Sequence, residues 1–263
     1  MQKNKLNTNS NILVSFKSHS EISKKNVRLV DILDLKNPDN GSLGEWELSD
    51  IKKVVKAFGN EKFISATIGD VLDFEKIIKK IKVFDELKLD FIKFGLFVEN
   101  TVQMSKFLAD IKSCNFKTEL VPVIFADKKI ILETVFKNLE SFKAFKFNFL
   151  LLDTFSKKSG DLFKSCSLNY LSNFLIRTKK LGLSLGLAGK LKKNQIPKLL
   201  KLQPKIIGFR SAVCKKNNRN DQLSYLKLQN IYHFFKSEIS WAIQYAGMLF
   251  KAKLLSFFFF AFF

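Results

Sequence analysis

The chain has 263 residues, 46% of them hydrophobic, enough to bury the core of one large α/β barrel or of two small domains, and its eleven glycines and four prolines are too few for a low-complexity protein. A net charge of +21 raises the question of a nucleic-acid partner, but only four of the 45 basic residues are arginine and the lysines are spread evenly, so no nucleic acid is expected. The three widely spaced cysteines, Cys114, Cys166 and Cys214, form no CxxC pair for zinc or redox chemistry and suit a reducing cytoplasm.

Residues 1–10 are polar and Asn-rich, with no apolar stretch before a cleavage site, and read as an N-terminal extension rather than a signal peptide. From residue 11 to 228, short apolar runs rich in β-branched residues recur: Ile12–Phe16, Leu29–Leu35, Phe63–Ile68, Asp90–Phe94, Glu119–Phe125, Phe147–Leu152, Ser184–Ala188 and Lys205–Phe209. Between them, Asp50–Phe58, Phe74–Leu87, Thr101–Ser113, Ile130–Phe142 and Leu168–Leu181 carry apolar residues at three- and four-residue spacing, the pattern of core-facing helices. Repeated βα units of this number and length predict a single (β/α)8 TIM barrel. A doubly wound open sheet is the alternative, but no GxGxxG follows the first run and no GxxxxGK[ST] occurs anywhere.

Residues 229–263 form a separate tail ending in Lys251-Ala252-Lys253 and a Phe-rich run. The apolar run after Lys253 is shorter than the ~20 residues a bilayer span needs, so no transmembrane segment is expected. The tail could pack across the barrel bottom, join copies into a homo-oligomer, or rest on a membrane surface.

Polar residues fall where a barrel places its chemistry, at the carboxyl ends of the strands. Asp34 and Lys36 end the second run, Thr67 and Asp70 follow the third, and Lys93 sits in the fourth. Asp127 follows the fifth, Asp153 and Thr154 the sixth, Gly189 and Lys190 the seventh, and Arg210 the eighth. Asp34 and Lys36 are two apart on a strand and so share a face; an inward-facing charge there needs a partner or a chemical role. Desolvation and a second ammonium nearby lower a lysine's pKa and make its amine a nucleophile toward carbonyls, and Lys93, flanked by Phe91, Ile92 and Phe94, is placed to be that second ammonium. Asp153, with Lys157 beyond it, suits acid/base work. Against this stand plainer readings: a strand-end lysine that snorkels to solvent, and Asp70 or Asp153 as helix N-caps.

The loops after runs seven and eight, Leu187-Ala188-Gly189-Lys190 and Gly208-Phe209-Arg210-Ser211-Ala212, each hold a glycine and a cation, the composition of a barrel's phosphate site. Neither histidine, His19 or His233, joins a cluster with metal-ligand spacing, so no metal is expected.

Taken together, Asp34-Leu35-Lys36-Asn37-Pro38 with Gly41-Ser42-Leu43-Gly44, Ser65-Ala66-Thr67-Ile68-Gly69-Asp70-Val71, Lys93-Phe94-Gly95-Leu96, Leu152-Asp153-Thr154, Leu187-Ala188-Gly189, and Gly208-Phe209-Arg210 through Cys214 with Arg219-Asn220 follow one family in order. From about Ile12 to Leu228 the chain resembles the (5-formylfuran-3-yl)methyl phosphate synthases, also called 4-(hydroxymethyl)-2-furancarboxaldehyde-phosphate synthases, of methanofuran biosynthesis. The resemblance implies a class I aldolase-like barrel enzyme that condenses two molecules of the phosphosugar glyceraldehyde 3-phosphate, with loss of phosphate and water and with no metal or organic cofactor. It implies Lys36 as the Schiff-base lysine and Lys93 as the proton acceptor, with Asp34, Asp153 and Lys157 handling protons around the imine. Substrate phosphate would be held by Gly189, Gly208, Arg210 and Ser211. On the residues alone, another phosphosugar aldolase or isomerase, or a basic protein binding nucleic acid or a membrane surface, stays open.

Overall fold

Apolar runs too short for helices pair with their sequence neighbours throughout the chain, and the computed structural model, which describes residues 6, 7, 9–156 and 160–260, shows them as one closed parallel barrel. The strands are β1 (Asn11–Phe16), β2 (Ile32–Leu35), β3 (Phe63–Thr67), β4 (Phe91–Gly95), β5 (Glu119–Phe125), β6 (Phe149–Asp153), β7 (Ser184–Leu187) and β8 (Ile206–Phe209). They are ordered as in the sequence, and β8 returns to β1 with Asn11 opposite Ile206 and Val14 opposite Phe209.

Helices α1 (Lys24–Val27), α2 (Leu48–Phe58), α3 (Phe74–Asp85), α4 (Thr101–Ser113), α5 (Lys129–Lys137), α6 (Leu139–Ala144), α7 (Leu162–Ser165), α8 (Leu168–Lys180), α9 (Ile196–Leu202) and α10 (Tyr225–Phe260) fill the connections and follow β8. Side-chain caps start several of them: Asp73 accepts from Lys76 N, Asn100 from Gln103 N and Ser167 from Tyr170 N. The buried faces keep helical spacing, as in Ile77, Ile81 and Phe84 of α3.

Two elements differ from the sequence expectation. The run Leu29–Leu35 becomes a strand only at Ile32, because Ser23 caps the short α1 and the chain is still turning at Leu29, whose N–H donates to Asn26 O (3.1 Å). The expected helix Ile130–Phe142 is divided at Asn138, whose φ/ψ of −123°/35° leaves the helical region and whose Nδ2 donates to Thr134 O (2.8 Å).

The strand alternation sorts the side chains into two cores. Outward residues such as Ile12, Val14, Leu33 and Leu152 pack beneath the helices, while inward Leu13, Ile32, Phe91, Val121, Val123 and Ile206 fill the barrel itself. At the amino-terminal end of the strands, Phe91 packs against Phe63 (centroids 6.0 Å) and Phe149 (5.3 Å), and this apolar floor leaves the carboxyl end for polar groups. Leu228, Ile231 and Phe235 of α10 are buried in the outer core, so barrel packing runs past Leu228, into the stretch read as tail. Among the described residues, no helix is long and apolar enough to cross a membrane.

Candidate active site

Strand register brings the inward charges to one level. Ser15 on β1, Asp34 on β2 and Ser65 on β3 are direct neighbours across the sheet, and both hydroxyls donate to the buried Asp34 carboxylate, Ser15 Oγ to Oδ2 (2.6 Å) and Ser65 Oγ to Oδ1 (2.7 Å). Lys93 of β4 reaches across from beside Thr67 and places Nζ 2.5 Å from Asp34 Oδ1. One layer above, Lys36 Nζ lies 3.4 Å from Asp153 Oδ2, while Asp153 Oδ1 accepts from Thr154 N (2.7 Å). All four charged side chains are buried.

Burial is the largest influence on both members of the inner pair. It would push the Asp34 carboxyl up, but Lys93, then Lys36, and the hydrogen bonds from Lys93 and Ser15 hold it below its ordinary value. Burial pushes the Lys93 ammonium down; Asp34 opposes the shift, Lys36 adds to it, and the pKa stays below the ordinary 10.5. The arrangement therefore joins a buried amine shifted toward its neutral form to a second amine beside a carboxylate, in a cavity also lined by Gly189, Gly208 and Ser211.

The loops above are held by two carboxylates that follow strands, Asp70, for which sequence spacing also allows a helix cap, and Asp127. Asp70 accepts from Ser42 N (2.6 Å) and Leu43 N (2.8 Å), and Asp127 accepts from Phe155 N and Ser156 N (both 2.7 Å). Asp70 thus fixes the Gly41–Gly44 loop over the site, helped by Thr67 Oγ1, which donates to Gly44 O (3.0 Å), and by Ser42 Oγ, which donates to Phe155 O (2.7 Å). Gly189 has φ +101° and packs against Thr154, where a Cβ would stand 3.1 Å from the backbone nitrogen.

Arg210 does something other than expected. Its Nε donates to Arg219 O (2.8 Å), Nη1 to Ser15 O (3.1 Å) and Glu21 Oε2 (2.6 Å), and Nη2 to Glu21 Oε1 (3.1 Å) and Asp221 O (2.9 Å). All five guanidinium donors are engaged within the protein, leaving none for a phosphate. Lys157 lies outside the described residues. Sequence reasoning gave Ser15, Ser65 and Glu21 no role; the two serines were detectable as small polar residues at inward positions in the middle of mainly apolar strands, which also carry Asn11 and Thr67 at their ends. Among the described residues, no group of three or more His, Cys, Asp or Glu is placed to hold a metal ion.

The model of the family described as 4-HFC-P synthase matches residues 12–232. The (5-formylfuran-3-yl)methyl phosphate synthase of Methanocaldococcus jannaschii is 30% identical over 207 residues, covering 73% of this chain and 84% of the relative. The protein of that name from Archaeoglobus fulgidus is 29% identical over 215 residues, covering 78% and 90%. Among solved structures, phosphoribosyl anthranilate isomerase from Thermus thermophilus (12% identity, TM-score 0.60, covering 86% of this chain and 98% of that one) shares the fold. So does 3-hexulose-6-phosphate synthase (18%, 0.54, 84% and 99%), and at these identities the likeness is one of fold alone. Matched over most of its length and carrying the charged strand ends in the expected order, the chain belongs to the 4-HFC-P synthase family.

Proposed function

We propose that the protein is a lysine Schiff-base enzyme that condenses two molecules of glyceraldehyde 3-phosphate into 4-(hydroxymethyl)-2-furancarboxaldehyde phosphate, a precursor of the furan in methanofuran. Atom balance requires the loss of one phosphate and two waters. The observation that carries the reading is the stacking of two lysine–carboxylate pairs, Lys36–Asp153 above Lys93–Asp34, at the carboxyl end of a family barrel.

In this reading Lys36 Nζ attacks the aldehyde carbon and water leaves, giving an iminium. Asp153, 3.4 Å from Nζ, exchanges protons with the attacking amine and the departing hydroxyl. The iminium acidifies the neighbouring C–H, and Lys93, held below the usual lysine range, accepts that proton while the electron pair moves toward nitrogen. The resulting enamine can expel the β-phosphate or attack a second aldehyde, and hydrolysis returns Lys36 as a free amine. Asp34 balances Lys93's charge when the proton arrives, and Ser15 and Ser65 keep its oxygens fixed.

The test is direct. Purified protein incubated with glyceraldehyde 3-phosphate should produce the ultraviolet absorbance of a furan aldehyde together with free phosphate. Borohydride should trap substrate on Lys36, and Lys36→Arg should abolish both trapping and turnover; turnover that survives in that variant sinks the mechanism.

A further inference from the structure

Arginine is scarce in this chain, and of the pair at the barrel mouth, nine residues apart, Arg210 is fully engaged. Arg219 is not. Its Nη2 donates to Pro38 O (3.2 Å) and Gly41 O, tying the loop after β8 to the loop after β2. Its Nε is buried without an acceptor, and no carboxylate oxygen lies within 4.0 Å of the guanidinium among the described residues. Burial disfavours this charge, and Asp153 and Asp70 offset it only from a distance. A half-satisfied, partly buried cation without a contact counter-ion is a cost to the fold that an anion would relieve.

The position fits such an anion. Arg219 borders the inner cavity with Lys36, Lys93 and Asp153, and also a groove outside it whose rim carries Lys190, Lys192 and Lys193 and, among the described residues, no carboxylate. The inner cavity is about 50 Å³ and the groove about 940 Å³. Since a small-molecule site usually takes roughly 300 Å³ or more, the inner cavity alone is small for a phosphosugar, and the adjoining groove offers the room for its phosphate.

We propose that the Arg219 guanidinium, rather than that of Arg210, binds the phosphate monoester of a substrate at the junction of cavity and groove, with the lysine rim drawing the dianion in. The proposal rests on the phosphosugar reading above, and it makes the β2–β8 strap a sensor of occupancy: phosphate competes with the Pro38 and Gly41 carbonyls for the same guanidinium.

Inorganic phosphate, titrated calorimetrically into the full chain at low fixed salt, should bind, and Arg219→Gln should weaken binding by about tenfold, or about 1.4 kcal/mol. The same variant should raise KM for glyceraldehyde 3-phosphate by a similar factor while unphosphorylated glyceraldehyde is still trapped on Lys36 by borohydride. In the wild-type protein, phosphate should slow phenylglyoxal labelling of Arg219, mapped by mass spectrometry, which decides the matter even where the variant folds poorly. No phosphate binding by the wild type, unchanged binding by folded Arg219→Gln, or labelling indifferent to phosphate overturns the proposal. Phosphate binding that needs Arg219 without furan formation would sink the assigned reaction and leave the site standing. Furan formation with an unchanged KM in Arg219→Gln would do the reverse.

Discussion

Lys93 can accept a proton only when neutral, so the direction of its shift makes a kinetic prediction. Turnover should rise with pH through an ionisation below the ordinary lysine value of 10.5, and Lys93→Gln should remove that limb of the pH–rate profile along with most activity. Asp34 predicts the opposite end of the scale. Its folded pKa lies below its unfolded one, so its contribution to stability is complete above roughly pH 4 and is lost as pH falls through the folded value. Asp34→Asn should flatten the acid side of stability measured by urea melts, and should cost about 3–5 kcal/mol at neutral pH by leaving Lys93 buried without its counter-ion. Lys36, Lys93, Asp34 and Asp153 were legible in the sequence because charge in an apolar run at a strand end is conspicuous. The role of Arg210 was not, since its partner Glu21 is 189 residues away and no local spacing reports such a pair.

Loops, more than strands, separate this barrel from a generic one. Asp70 was ambiguous in sequence because a carboxylate after a strand looks the same whether it caps a helix or holds a neighbouring loop, and here Asp73 does the capping while Asp70 binds Ser42 N and Leu43 N. Asp70→Ala removes two charge-assisted hydrogen bonds, each worth about 1.5–3 kcal/mol, and should release the Gly41–Gly44 loop. The expected result is a lower thermal midpoint and a raised KM with borohydride trapping on Lys36 still detectable. Gly41→Ala should act on the same loop, because φ is +113° there and a Cβ would overlap Asp70 Oδ2. The eight strands were readable from the recurrence of short apolar runs, whereas the break at Asn138 was not, since Ile130–Phe142 keeps its helical spacing on both sides of it.

For the molecule as a whole, the Glu21–Arg210 pair closes the ring. Glu21 also accepts from Lys17 N (2.7 Å) and Leu223 N (2.8 Å), so one buried carboxylate joins the loop after β1 to the chain on both sides of the last turn. Glu21→Ala and Arg210→Ala should each destabilise by about 3–5 kcal/mol in denaturant melts, with the double variant far short of their sum. Closure of this kind has a consequence for the chain before it is finished. Until β8 leaves the ribosome, β1 has an unpaired edge that can template pairing with other chains, and the longest-range contacts form last. The lysine excess behind the full chain's net charge of +21 is spread along the sequence, so the unfinished chain is basic too, and mutual repulsion opposes that association during the barrel's open stage.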